Sequence, residues 1–258
     1  MVTRMADGSA GDANYATIGE AYTQYRRPDP RIAARIAEAL GAARTVLNVG
    51  AGAGSYEPAD RAVTAVEPSA SMRAKRPAGL AVAVNATAES LPFDDDAFDA
   101  AMTTFSVHQW GDLRAGLREM RRVTRGPVVI LTGDPDRLRE FWLNEYAPEV
   151  IDTEARRYPS VAELAAGLGG AVTVANVPIP LDCTDGFNEA YYGRPEALLD
   201  PPARLSCSAW SFAGPEVEDR FTRDLARDLA DGTWDRRHGH LRTQPALDGS
   251  LILATSTL

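Results

Sequence analysis

The stretch Thr45-Val-Leu-Asn-Val-Gly-Ala-Gly-Ala-Gly-Ser55 decides how this chain is read. Val46 to Val49 form a short, mostly apolar run that reads as a buried strand, and Gly50, Gly52 and Gly54 follow at once. A strand that runs straight into alternating glycines is a backbone built to lie close against a ligand. Glycine reaches positive φ and has no Cβ to hold the ligand away. The dinucleotide fingerprint G-x-G-x-x-G would need its third glycine at position 55, where Ser55 stands; the glycine falls one place early. Alternating Gly and Ala also make ordinary turns, so the meaning of the loop rests on its surroundings.

Downstream, Arg61-Ala-Val-Thr-Ala-Val66 reads as a second buried strand with Glu67 at its tip. An acid at that place can accept both hydroxyls of a ribose lying across the sheet; taken alone, it is equally a strand end in solvent. Pro68 and Ser69 follow, and Met72 comes one helical turn on, placed to pack on a flat ring. Leu80 to Val84 reads as a third strand and Ala100 to Phe105 as a fourth. Asp112 to Thr124 has helical spacing, with Leu113, Leu117, Met120 and Val123 on one face, and Gly126-Pro127 opens a fifth strand, Val128 to Leu131. Strand and helix alternate, which implies a parallel sheet with helices on both faces. Ligands on such sheets bind outside the carboxyl ends of the strands. Gly50, Glu67, Ala88 and Ser106 all fall there from chain order alone.

Three features now combine: the G-x-G-x-G loop after strand one, the segment Ala88-Glu89-Ser90-Leu91-Pro92-Phe93, and Phe98-Asp99-Ala100 behind the acidic turn Asp94–Asp96. Together they resemble the class I S-adenosylmethionine (SAM) dependent methyltransferases, and among these the UbiE-like, type 11 subgroup. The resemblance is specific over roughly residues 14–132 and general beyond them. It implies an α/β, Rossmann-like sheet of seven strands, mostly parallel with an antiparallel last strand, and SAM as cofactor without a metal. It assigns cofactor contacts to Gly50, Ala51, Gly52, Gly54, Glu67, Pro68, Met72, Thr87, Ala88, Glu89, Thr104 and Phe105. The family often carries Asp where this chain has Thr87, to hold the adenine amino group; with Thr there, the main-chain N–H of Ala88 takes more of the adenine recognition. Thr104 to Asp112 resembles the family's H-H-W or H-Q-W segment beside the departing methyl group. His108 is the candidate general base or substrate-orienting residue, since imidazole titrates near neutral pH. It is alternatively a structural histidine bonded near the cofactor. Trp110 is expected to pack the pocket wall.

Upstream, a polar tail to about Asp12 reads as mobile. Tyr15, Tyr22, Tyr25, Arg26 and Arg27 then crowd a short stretch before Pro28 and Pro30. This is either a helix packing tyrosines on a core or a lid. As a lid, Tyr15, Tyr22 and Arg26 close over the amino-acid end of SAM, with Tyr22 beside the chemistry and Arg26 suited to the carboxylate. Asp29 to Leu40 is an amphipathic helix, with Ile32, Ile36, Ala39 and Leu40 on one face, ended by Gly41. In the second half, 141–146 and 151–157 look helical, Ser160 caps Val161 to Leu168, and Ala171 to Ile179 and Ser250 to Thr255 are strand-like. The expected organisation is one methyltransferase domain over 1–258, with 14–40 as lid helices and 182–237 as a helical cap inserted before the last strand. The aromatics of that insertion, Tyr191, Tyr192, Trp210 and Phe212, are either its core or an acceptor box.

Composition excludes several classes. A net charge of -9 over 258 residues argues against a nucleic-acid partner, which selects a basic face. Arg118, Arg121, Arg122 and Arg125 look like the solvated side of a helix, and the acidic turn like solvated surface. Cys183 and Cys207 are too few and too far apart for a metal site or a disulfide framework, and read as reduced thiols of a cytoplasmic protein. No signal sequence and no membrane-spanning run is evident. The reading is methyl transfer to a small molecule on carbon, oxygen or nitrogen. An aromatic or heteroaromatic secondary metabolite fits the aromatic content of lid and cap. The alternatives are a SAM-binding protein that does not methylate, an RNA or protein methyltransferase, and a nicotinamide-dependent oxidoreductase. Oligomeric state has no signature here.

Overall fold

Strand β1 (Thr45–Val49) lies inside the sheet, with a parallel neighbour on each side, and its last four residues are buried. Burial on both faces is what an almost continuous apolar run provides. The structure, a computed structural model, describes residues 22–169 and 171–257. It divides into two compact units, a sheet unit of 30–134, 158–177 and 251–257 and a helical unit of 22–29, 135–157 and 178–250.

In the sheet unit the strands are β1, β2 (Ala62–Val66), β3 (Ala100–Thr104), β4 (Val128–Gly133), β5 (Ala171–Asn176) and, after two short strands of the other unit, β8 (Leu251–Thr257). Their order across one six-stranded sheet is β2-β1-β3-β4-β8-β5. β1 pairs parallel with β2 from Thr45–Ala62 to Val49–Val66, and with β3 from Val46–Ala100 to Asn48–Met102. β8 runs antiparallel to both β4 and β5. The chain leaves β1 for β2 on one side and later returns to β3 on the other. The crevice outside the carboxyl ends of β1 and β3 is therefore a topological switch point, where such sheets take ligands.

Among the described residues the sheet has six strands, not the expected seven. Leu80 to Val84 does not form a strand. Only Val84 bridges Val66, through Val84 N–H to Ala65 C=O at 2.8 Å and Glu67 N–H to Val84 C=O at 3.0 Å. Leu80 N–H is taken by Pro77 C=O and Ala81 C=O by Arg76, and Val82 faces solvent at 92% exposure.

Helices of the sheet unit follow local signals. α2 (Pro30–Leu40) buries Ile32, Ile36 and Leu40 at four-residue spacing, with Ala39 only half-buried, and ends at Gly41 in the left-handed region. α3 (Ala70–Ala74) is capped by Ser69, α4 (Leu113–Arg122) by Asp112, whose carboxylate accepts from Ala115 N–H at 2.9 Å. α8 (Val161–Leu168) opens with a reciprocal Ser160–Glu163 capping box. α4 and α8 pack closely because Gly167 has no side chain; a Cβ there would stand 2.4 Å from Leu117 Cδ1.

The arginines of α4 are more than a solvated face. Arg121 donates to the carbonyls of Thr124 and Gly126, and Arg122 to those of Phe93 and Leu91 while pairing with Glu119 and Asp95. Their charge tethers neighbouring turns, since a guanidinium can serve several acceptors at once.

The helical unit contains α1 (Tyr22–Tyr25), α5 (Pro135–Leu138), α6 (Leu143–Tyr146), α7 (Pro148–Arg157), α9 (Pro201–Leu205), α10 (Pro215–Ala230), α11 (Thr233–His238) and a two-stranded antiparallel sheet of β6 (Ile179–Pro180) and β7 (Ala246–Leu247). The strand expected from Ala171 to Ile179 thus breaks at 177–178, and its last residue belongs to this unit. Aromatic rings form its core. Trp142 meets Trp234 edge-on at 5.6 Å, and Trp210 meets Phe221 at 4.8 Å. Trp142 Nε1 donates to Tyr192 C=O and Trp210 Nε1 to Asn188 Oδ1, each at 3.0 Å. Tyr191, Tyr192 and Trp210 are therefore core, 6, 0 and 1% exposed. Cys183 and Cys207 are buried free thiols, each pushed up to about 12 by desolvation. Among the described residues, no helix is long and apolar enough to cross a membrane.

Candidate functional site

The loop after β1 has the backbone that its glycines allow. Gly50, Gly52 and Gly54 have φ of 67, 51 and 96°. At Gly50 the restriction is steric as well: a Cβ would fall 1.8 Å from Ser106 Oγ and 2.7 Å from its Cβ. The turn from β1 is thus pressed against the end of β3. There Ser106 accepts a hydrogen bond from Trp110 Nε1 at 3.0 Å, and Phe105 has a positive φ of 49°. A phenylalanine in the left-handed region costs on the order of 1 kcal/mol, and such strain gathers at functional sites.

Glu67 stands at the end of β2, 7% exposed. Its Oε2 accepts from Gly52 N–H and its Oε1 from Ser69 N–H, both at 2.8 Å. A carboxylate offers about four acceptor positions, and these two bonds use half of them. Glu67 also fixes the glycine loop, a role that its place at a strand end did not announce. Met72 is buried with its Cε 3.2 Å from where a Cβ of Gly52 would lie, so it supports the loop from below. Pro68 is exposed on the way to α3.

Other expected contacts divide. Ala51 is buried and donates to Val66 C=O at 2.9 Å, which ties the loop to β2. Ala88 is buried in the core beside Trp110 and Gly116, while Thr87 is exposed. Glu89 Oε1 accepts from Gly111 and Asp112 N–H at 2.8 and 3.1 Å, so its carboxylate braces the entry to α4. Thr104 and Phe105 end β3 half-buried. His108 lies in a short 3-10 helix, Val107–Gln109, 7% exposed. Its ring meets that of Tyr158 edge to face, with centroids 5.0 Å apart. Trp110 is a core residue of the sheet unit.

In the helical unit, Arg26 Nε lies 2.5 Å from Asp185 Oδ1, with the side chains 12 and 3% exposed. Its charge is already matched. Tyr15 lies outside the described residues, as does the side chain of Tyr22.

Three residues of the sheet unit escaped the sequence reading. Tyr158 packs its ring on Gly133 at the carboxyl end of β4, where a Cβ would come within 2.9 Å. A glycine of ordinary φ inside a strand signals such a close approach. Glu57 and Arg76 pair beneath the glycine loop, and no spacing rule pointed to them. Among the described residues no cluster of His, Cys, Asp and Glu could hold a metal ion.

Residues 47–130 match the family model of a methyltransferase domain. Over 122 residues the chain is 32% identical to the uncharacterized protein YafE of Escherichia coli, covering 44% of this chain and 57% of that protein. Over 115 residues it is 33% identical to the uncharacterized methyltransferase YcgJ of Bacillus subtilis, covering 40% and 42%. The chain thus spans about half the length of these curated relatives. Among solved structures, a putative methyltransferase from an antibiotic biosynthesis pathway of Anabaena variabilis superposes with a TM-score of 0.84 at 28% identity, over 91% of this chain and 100% of that one.

Proposed function

We propose that the chain is a class I SAM-dependent methyltransferase, a reading supported by the methyltransferase-domain match over residues 47–130 and the likeness to the Anabaena structure, and that it transfers the methyl group of SAM to a small molecule of natural-product type. The observation that carries the reading is the glycine turn pressed against Ser106 and bonded through Gly52 to Glu67. It sets a tight, glycine-permitted turn and a buried carboxylate side by side at the carboxyl ends of β1 and β2. A side chain at Gly50 would strike Ser106 and displace the turn. A carboxylate bonded to a glycine turn in this place fits the cofactor.

When bound, SAM supplies an electrophilic sulfonium methyl. Gly50, Ala51, Gly52 and Gly54 would lie along it, Glu67 would accept its ribose hydroxyls, the segments Pro68–Met72 and Thr87–Glu89 would border its adenine side, and Thr104–Phe105 its departing methyl group. The protein's contribution is alignment and exclusion of water, which account for several kcal/mol of such a barrier. His108, near the end of β3, would take a proton from, or orient, an acceptor hydroxyl, amine or acidic carbon. Tyr15, Tyr22 and Arg26 are kept as lid residues in this proposal; Arg26 would have to share or leave Asp185 to reach a carboxylate.

The antibiotic pathway named for the Anabaena structure supports a small natural-product acceptor. An aromatic acceptor draws no support from Tyr191, Tyr192 and Trp210, which are spent on the core. The net charge of -9 weighs against RNA. Calorimetric titration with SAM, S-adenosylhomocysteine, NAD and NADP tests the cofactor, with binding of the first two expected. Binding of NAD or NADP alone would refute it. Methyl transfer from labelled SAM to members of a natural-product panel then tests the reaction. Tight SAM binding with no transfer to any acceptor would favour a non-methylating SAM protein.

A further inference from the structure

Glu57 and Arg76 lie within the sheet unit, outside every group assigned so far. Arg76 Nη2 is 3.0 Å from Glu57 Oε2, and the side chains are 5 and 2% exposed. Burying two charges is costly unless further hydrogen bonds compensate, and here several do. Glu57 Oε1 accepts from Asn48 Nδ2 at 3.1 Å. Arg76 donates through Nε and Nη2 to Ala81 C=O at 3.1 and 3.0 Å, and through Nη1 to Gly52 C=O at 3.4 Å.

Four pieces of backbone meet at this pair: β1 through Asn48, the glycine loop through Gly52 and Glu57, the turn after α3 through Arg76, and the unladdered segment through Ala81. A Cβ at Gly54 would strike Leu80 Cδ1 at 2.2 Å and crowd Arg76 Nη1 at 3.3 Å, so the loop packs directly on this pair and its neighbour. An apolar pair of the same volume would serve stability as well as a buried ion pair does. What only a guanidinium does is hold a carboxylate and two carbonyls in one rigid plane.

We infer that Glu57 and Arg76 are positioning residues, which set the Gly50–Gly54 loop in its ligand-ready conformation before the cofactor arrives. Gly52 is held from both ends, its N–H by Glu67 and its C=O by Arg76. Ordering the loop in advance removes that cost from the binding step. The inference rests on the cofactor reading above.

The test uses the full chain and S-adenosylhomocysteine as probe, with calorimetry, urea denaturation and hydrogen exchange of the loop amides. Arg76→Met should weaken binding about tenfold or more, at 1.4 kcal/mol per tenfold, and speed exchange of the Gly52–Gly54 amides in the free protein. Arg76→Lys, with the charge but not the fork, should recover part of the affinity. Glu57→Gln should lose affinity to an intermediate degree, because shape and the Asn48 contact are kept. Variants that bind within twofold of wild type with unchanged loop exchange, whatever happens to the urea midpoint, would overturn the inference and reduce the pair to a structural one. If Arg76→Met does not fold, Arg76→Lys and Glu57→Gln decide by the same criteria. Failure of the wild-type protein to bind would instead remove the cofactor reading and this inference with it.

Discussion

Gly50→Ala is the perturbation that asks most of the proposed site. At φ +67° an L-residue costs about 1–2 kcal/mol over glycine. The added methyl would also lie 1.8 Å from Ser106 Oγ and 2.7 Å from Ser106 Cβ. Rotating the hydroxyl relieves the first contact and not the second, so backbone must move, at about 1–3 kcal/mol for an overpacked site. The total of roughly 2–5 kcal/mol divides between stability and ligand affinity. If the loop shifts to make room, S-adenosylhomocysteine binding should fall about 10- to 1000-fold. Ser106→Gly separates the two terms. It removes both clashing atoms and the Trp110 hydrogen bond, whose loss costs about 1 kcal/mol. Gly50→Ala/Ser106→Gly should therefore recover the steric part while retaining the backbone part, a coupling readable by calorimetry and urea denaturation on all four proteins. Additive effects in the double variant, or Gly50→Ala binding within twofold of wild type at unchanged stability, would refute the close contact of loop and strand end.

Three further outcomes are expected. Glu67→Gln weakens the charge-assisted bonds to Gly52 and Ser69 N–H along with those to a ribose, and should cost roughly 10- to 100-fold in S-adenosylhomocysteine affinity by calorimetry, at about 1.5–3 kcal/mol for bonds to a charged group. His108→Ala should lower turnover on an identified acceptor by about 10²-fold or more while cofactor affinity stays within threefold; loss of cofactor binding with turnover preserved at saturation would make the residue structural. Glu189, enclosed with Ser250 in the helical unit, has its carboxyl pushed from 4.5 up to about 7, first by desolvation. The native protein therefore keeps a proton there that the unfolded chain releases near pH 4.5, so this group's stabilisation is complete below that pH and is lost as pH rises through about 7. The loss is about 3 kcal/mol, and urea midpoints from pH 4.5 to 8 should fall more in wild type than in Glu189→Gln.

What was legible in the sequence was local. The boundaries of β1, α2, α4 and α8 agree with periodicity and caps to within a few residues, because a strand flanked by glycine or a helix opened by Asp112 or Ser160 carries its own signal. Gly50 and Glu67 could be singled out because chain order alone puts both at carboxyl ends of strands. Leu80 to Val84 misled for the opposite reason. Its apolar run suits a strand, but laddering depends on a partner strand along its whole length, which is not local, and only Val84 finds one. The aromatics of 182–237 were ambiguous in the same way, since a tryptophan for the core and one for a ligand differ only in what surrounds them.

By itself the sequence determined the alternating α/β order, the glycine turn after β1, the acid after β2 and the family that these resemble. All are short-range patterns that backbone sterics and hydrophobic periodicity impose wherever they occur. Only the tertiary structure decided that the sheet has six strands, that Ser106 closes on Gly50, that Glu67 bonds the loop, and that Arg76 reaches Glu57, Gly52 and Ala81 together. Those facts depend on side chains from separate elements converging in three dimensions. An arginine's partners are chosen by the space it is folded into, and no spacing along the chain records that choice.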